Sequence, residues 1–92
     1  MAKITLEASK IALLKSLKKG NNPTPKEVLE MFRLLQAEIE TGGKHYKARL
    51  PTTRYKITIP RGKISSSVAR QIYKYLKTHG VTDTGEFDYE KQ

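Results

Sequence analysis

Lysine and arginine are the main chemically functional side chains of this sequence. Its 92 residues carry 18 Lys and Arg against 9 Asp and Glu, a formal net charge of +9 at pH 7. No acidic residue lies between Glu40 and Asp83. The cations of this acid-free segment are Lys44, Lys47, Arg49, Arg54, Lys56, Arg61, Lys63, Arg70, Lys74 and Lys77. A charge concentrated in this way indicates a polyanionic partner, because the field of clustered cations attracts phosphates and acidic surfaces.

Groups that support catalysis or bind metals are scarce. The chain has no cysteine and two isolated histidines, His45 and His79, so no zinc site and no nucleophile with its base is recognisable. The carboxylates near the C-terminus lack the spacing and the turn glycine of a calcium loop. Lys63 follows Gly62 as in a phosphate-binding loop, but the Ser or Thr that should come next is absent. We therefore predict a non-enzymatic protein without a cofactor or a bound metal.

Composition predicts one small domain. A chain of 92 residues can build one core but not two. The absence of cysteine favours a reducing compartment, the cytoplasm or the nucleoid. The N-terminal residues lack the apolar run of a signal peptide, and no stretch approaches the ~18 apolar residues of a membrane span. We predict a soluble protein without a membrane partner, and the oligomeric state stays open.

Two helices are predicted before the acid-free segment. The first covers about residues 5–19, because its leucines share one side of a helical wheel, and Gly20 followed by Asn21-Asn22-Pro23 ends it. Those leucines are Leu6, Leu13, Leu14 and Leu17. The second begins at Thr24, which with Pro25 and Glu27 has the pattern of a capping box. Its apolar side is Val28, Phe32, Leu35 and Ile39, and Gly42-Gly43 is predicted to end it.

After these glycines the apolar pattern changes to the alternation of strands. Residues 45–50 and 54–59 each place polar and apolar side chains on opposite faces, and residues 51–53 are short enough for a hairpin loop. Pairing the two strands predicts one basic exposed face, made of Lys47, Arg49, Arg54 and Lys56. The same alternation predicts that Tyr46 and Tyr55 face the core.

A third helix is predicted after Pro60-Arg61-Gly62-Lys63. Ser65, Ser66 or Ser67 can cap it. Its apolar side is Val68, Ala69, Ile72, Tyr75 and Leu76, with Arg70, Lys74 and Lys77 nearly opposite. Gly80 is predicted as the left-handed C-terminal cap, with Val81 packing back on the last turn.

These elements predict one α+β domain over residues 1–82 in the order helix, helix, strand, strand, helix, with the helices on one face of a small antiparallel sheet. An acidic tail, residues 83–92, follows, either as an edge strand or as a mobile end. A winged helix is the alternative fold. It is disfavoured because an uninterrupted second helix of about sixteen residues leaves no room for a turn and a recognition helix.

The function predicted from the charge is nucleic-acid binding. The exposed hairpin face and the basic side of the third helix are expected to contact phosphates, with duplex DNA favoured over RNA because a two-stranded ribbon fits the major groove and the tyrosines are predicted to be buried. Arg61, Lys63, Ser66 and Ser67 form a candidate phosphate seat at the start of that helix. Two alternatives use the same cations: docking on an acidic partner protein, and a solvated face that only keeps the protein soluble.

Overall fold

Three helices and two antiparallel sheets make up the computed structural model, which describes residues 3–90. The helices are α1 (Ala8–Lys19), α2 (Pro25–Leu34) and α3 (Ser66–Thr78). The strands are β1 (Lys3–Thr5), β2 (Glu38–Glu40), β3 (His45–Arg49), β4 (Ile57–Pro60) and β5 (Glu86–Asp88). The predicted α+β class is confirmed. Residues 1 and 2 of the predicted domain and residues 91 and 92 of the predicted tail lie outside the described residues.

The larger sheet has the strand order β2, β3, β4. Tyr46 pairs with Ile59 and Ala48 with Ile57, so these side chains share the inner face of the sheet. Helix α3 packs against β4 and against α1, and α2 contacts α1 and β2. The fully buried side chains Phe32, Leu17 and Ile72 come from three different helices, which shows that the helices and the inner sheet face share one core.

The second helix begins as predicted and ends earlier than predicted. The Thr24 hydroxyl accepts from the Glu27 amide at 3.2 Å and the Glu27 carboxylate accepts from the Thr24 amide, so the capping box is confirmed. The helix ends after Leu34, because Gln36 adopts a left-handed conformation with φ 65°. The amides of Gln36 and Ala37 then donate to the carbonyls of Arg33 and Phe32, the bonds of a Schellman motif.

The early end of α2 creates a strand that the sequence patterns did not predict. Ile39 was predicted to extend the helix and instead lies in β2, opposite Ala48 of β3. Its neighbours Glu38 and Glu40 lie opposite Arg49 and Lys47 and share their face of the sheet. The predicted helix length that disfavoured a winged helix was therefore wrong, but a strand and not a recognition helix follows the turn.

The hairpin loop is longer than predicted. Strand β3 ends at Arg49 and β4 begins at Ile57, so residues 54–56 belong to the loop. The prediction that Tyr55 faces the core was wrong, because the residue is 62% exposed. The backbone amide of Tyr55 donates to the Thr53 hydroxyl, and its carbonyl accepts from the Tyr75 hydroxyl of α3. These bonds turn the chain before the strand begins.

A second sheet joins the two ends of the described chain. Strand β1 pairs with β5, with Ile4 opposite Phe87. The first helix therefore begins at Ala8 and not near Thr5, and Leu6 is buried just before it. Gly85 adopts φ 82°, and a Cβ there would approach Ile11 Cγ1 to 2.7 Å, so the turn before β5 requires glycine to lie against α1. Of the two alternatives for the tail, the structure has the strand.

Candidate nucleic-acid interface

The outer face of the larger sheet carries both signs of charge. Arg49 Nη2 lies 3.1 Å from Glu38 Oε2, and Lys56 Nζ lies 2.7 Å from Glu40 Oε2. The hydrogen bond from Lys56, and then its charge, hold the pKa of Glu40 below its usual value. The sequence patterns predicted a basic face and did not predict the two carboxylates of β2 that lie on it. Lys47 has no carboxylate within 4.0 Å among residues 3–90.

Arg61 is engaged by the loop between β2 and β3. Its guanidinium lies 4.2 Å from the centre of the Tyr46 ring, donates to the Gly43 carbonyl at 3.1 Å and donates to the Thr41 carbonyl. Lys44, the neighbour of Gly43, is exposed. These N–H groups of Arg61 bind the loop backbone. Arg61 therefore makes a structural contact at one end of the predicted phosphate seat.

The first turn of α3 forms the rest of that seat. Ser65 is the cap, since its hydroxyl accepts from the Val68 amide at 3.3 Å. Ser66 and Ser67 are exposed at the first two helical positions, and Lys63 is exposed before them. The Asn22 amide donates to the Ile64 carbonyl at 2.6 Å and fixes the entry to the helix. The seat therefore keeps two serines and one lysine accessible.

Helix α3 and the end of α1 form a second basic surface, which we call the helical ridge: Lys18, Arg70, Lys74 and Lys77. Lys18 Nζ lies 5.9 Å from the centre of the Tyr73 ring, on the other helix. Arg70 Nη2 donates to the Lys19 carbonyl at 3.2 Å. Arg70 and Lys74 have no carboxylate within 4.0 Å among residues 3–90. The ridge is thus a cationic surface shared by two packed helices.

Arg70 also fixes the geometry of this ridge. Gly20 ends α1 with φ 78°, and a Cβ there would lie 2.7 Å from the Arg70 guanidinium carbon. The guanidinium therefore reaches the exposed carbonyls of the α1 C-terminus, where a cation is favourable. This contact fixes Lys18 and Lys19 beside α3.

Asp83 places a carboxylate on the ridge. It contacts Lys77 Nζ at 3.1 Å and accepts from the Tyr73 hydroxyl at 2.5 Å. These two hydrogen bonds, followed by the charges of Lys77 and Lys18, hold the pKa of Asp83 below its usual value. The bond to Asp83 raises the pKa of Tyr73. The ridge therefore has four cations and one carboxylate among residues 3–90.

The exposed aromatic residue Tyr55 lies on the other flank of α3, beside His79. Arg54 Cζ is 5.8 Å from the centre of the Tyr55 ring, and the centre of the His79 ring is 6.4 Å from the centre of the Tyr55 ring. The sequence patterns did not predict His79, Tyr55 or Lys18 as site residues. Tyr55 was missed because the strand was predicted to begin at Arg54, three residues before β4 begins at Ile57. Lys18 was missed because it joins this surface only through the packing of α1 on α3.

His45 is exposed on β3, and His79 lies at the end of α3. Within residues 3–90, no group of three His, Cys, Asp or Glu side chains is placed to hold a metal ion. In the same part of the chain, none of the helices has the length and apolar composition needed to cross a bilayer. Comparison with models of known protein families, with curated proteins and with solved structures finds no match.

Proposed function

We propose that this protein binds nucleic acid and that the phosphates contact the helical ridge. The observation that carries the proposal is the imbalance of charge on the ridge, where Arg70 and Lys74 have no acidic partner among the described residues and Lys18 adds a further cation. The hydrogen bond from Arg70 of α3 to the Lys19 carbonyl of α1 joins the two helices and holds these cations in one arrangement. A rigid array of cations suits a regularly spaced polyanion, since phosphate contacts dominate the affinity of proteins for nucleic acids.

The sheet face has a smaller role in this proposal than the sequence predicted. Arg49 and Lys56 are already paired with Glu38 and Glu40, and a phosphate placed there would also meet the two carboxylates. The preference for duplex DNA rested on a basic two-stranded ribbon and on buried tyrosines. The carboxylates of β2 lower the net positive charge of that ribbon, and Tyr55 is exposed. Duplex DNA is therefore one ligand to test beside single-stranded DNA and RNA.

The test measures the salt dependence of binding. Lys18→Gln combined with Lys74→Gln should weaken binding to duplex DNA and flatten the slope of log affinity against log salt by about 1.8, that is about 0.9 for each phosphate that no longer meets a cation. The corresponding loss of affinity should be about tenfold larger at ~50 mM than at ~200 mM salt. Fluorescence anisotropy with labelled duplex DNA, single-stranded DNA and RNA gives these slopes, and thermal melts establish that the variant is folded.

The matched control removes the same charge elsewhere. Lys3→Gln with Lys26→Gln changes β1 and α2, and we expect its slope to equal that of the parent. Equal slopes in the ridge variant and the control would reject the ridge as the phosphate contact. A parent protein that binds none of the three nucleic acids at ~50 mM salt, but binds poly-glutamate, would replace this proposal by docking on an acidic protein.

A further inference from the structure

Tyr55 combines an exposed ring with a fixed backbone. The residue is 62% exposed, the highest exposure among the large hydrophobic residues of the described chain. Its carbonyl accepts from Tyr75 Oη at 2.6 Å, and its amide donates to Thr53 Oγ1 at 3.1 Å. Tyr75 is itself almost fully buried in the core. The Tyr55 ring therefore projects from a loop whose position is set by the core.

The rest of this loop is held equally firmly. Tyr75 Oη also accepts from the Leu50 amide at 3.1 Å, so one hydroxyl joins both ends of the loop to α3. The Thr52 hydroxyl donates to the His79 carbonyl at 2.6 Å, and Arg49 Nη1 donates to the Thr53 carbonyl at 3.0 Å. An exposed aromatic ring on a loop with this many anchors costs little entropy to use as a binding surface.

The surroundings of the ring are cationic and aromatic. Arg54 has no carboxylate within 4.0 Å among residues 3–90, and its guanidinium lies near the Tyr55 ring. The centre of the His79 ring, at the end of α3, lies 6.4 Å from that of Tyr55 and 4.7 Å from that of Tyr75, which it meets edge to face. By helical spacing, Lys74 lies on the arc of α3 between Lys77 of the ridge and the flank of Tyr75 and His79. A polyanion on the ridge can therefore continue toward Tyr55.

We propose that Tyr55, flanked by Arg54 and His79, is a stacking site for an unpaired base of single-stranded nucleic acid. This proposal rests on the proposed function and adds the class of ligand. Every base has a π face that stacks on an aromatic ring, and arginine beside the ring supplies a further planar cation. Bases inside a duplex have both faces covered by their neighbours, so only a single strand, a loop or an end offers a free face.

The test uses the absence of tryptophan from the chain. Tyr55→Trp introduces one fluorophore at the proposed site, and its emission should be quenched when oligo(dT) or oligo(U) is added. An abasic oligonucleotide of equal length and a blunt duplex should quench much less. Tyr55→Ala should weaken binding of oligo(dT) roughly 5- to 150-fold, the range known for one stacked base, and should leave duplex binding unchanged. Tyr55→Phe should bind like the parent.

Two controls separate stacking on a π face from general apolar contact. Tyr55→Leu keeps an apolar side chain without a π face and should behave like Tyr55→Ala; binding equal to that of Tyr55→Phe would overturn the proposal. Leu34→Ala removes another exposed apolar side chain and should change nothing. Nucleic-acid binding that Tyr55→Ala does not weaken would reject the stacking site and leave the proposed function standing. A parent that binds no nucleic acid would reject both, and quenching by poly-glutamate equal to that by oligo(dT) would assign the surface to acidic proteins.

Discussion

The outer face of the β2-β3-β4 sheet and the helical ridge draw all but one of their cations, Lys18, from the same acid-free segment, yet they differ in net charge. On the sheet, β2 returns Glu38 and Glu40 to the face where Arg49 and Lys56 lie. On the ridge, α1 adds Lys18, and only Asp83 is acidic among residues 3–90. The positions of charged residues in the sequence therefore do not predict the net charge of a surface, because each surface also includes residues from distant parts of the chain.

The largest effect we expect comes from the core beneath both surfaces. Phe32 is fully buried, and its ring centre lies 6.2 Å from that of Tyr75. Phe32→Ala should lower the free energy of unfolding by about 3–5 kcal/mol, measured by denaturant unfolding. At temperatures where the variant is folded, binding at the ridge should match the parent. A stable Phe32→Ala protein that no longer binds would place Phe32 on an interaction surface.

The second prediction compares the acids of the two surfaces. Asp83→Asn releases Lys77 and should steepen the salt slope on duplex DNA by up to about 0.9. Glu38→Gln with Glu40→Gln releases Arg49 and Lys56 and adds twice as much net positive charge. We nevertheless expect that slope to stay near the parent value. A steepening of about 1.8 in the double variant, with no effect of Asp83→Asn, would make the sheet the interface.

The smallest effect concerns stability at acid pH. Hydrogen bonds from Tyr73 and Lys77 lower the pKa of Asp83, and one from Lys56 lowers the pKa of Glu40. A carboxyl group whose pKa is lower in the folded state stabilises the fold above its unfolded pKa, and this contribution is lost as pH falls through the folded value. Thermal melts below about pH 4 should therefore depend less on pH in Asp83→Asn than in the parent. An identical pH dependence would show that the contacts of Asp83 with Tyr73 and Lys77 do not persist in solution.

Sequence patterns predicted the parts of the fold that depend on local chemistry. The Thr24 capping box, the end of α1 at Gly20 and the amphipathic α3 were all predicted from short-range signals. The end of α2 was not, because its left-handed residue is Gln36 and not the glycine that usually marks such a turn. The later pair Gly42-Gly43 is the stronger signal for a helix end. The second helix was therefore predicted to continue through the residues that form β2.

The candidate site was less predictable than the fold. Alternation gave the correct inner face for Tyr46 and Ala48, where the strand is regular. It failed at Tyr55 because hydrogen bonds from Tyr75 and to Thr53 hold this part of the chain as a loop, and Tyr75 lies on a different element. The predicted basic side of α3 is present, whereas its partner Lys18 depends on the packing of α1, which no local pattern encodes.

The pairing of β1 with β5 also determines the order in which the two sheets can form during synthesis. Of the described residues, β1 is the first segment to leave the ribosome and β5 the last, so this sheet cannot form before β5 has been made. Leu6 donates its amide to the Gly85 carbonyl at 2.7 Å, and that partner too arrives late. Until then the β1 edge is open, while every residue of the β2-β3-β4 sheet has already been made. The larger sheet can therefore assemble on the nascent chain before the two ends meet.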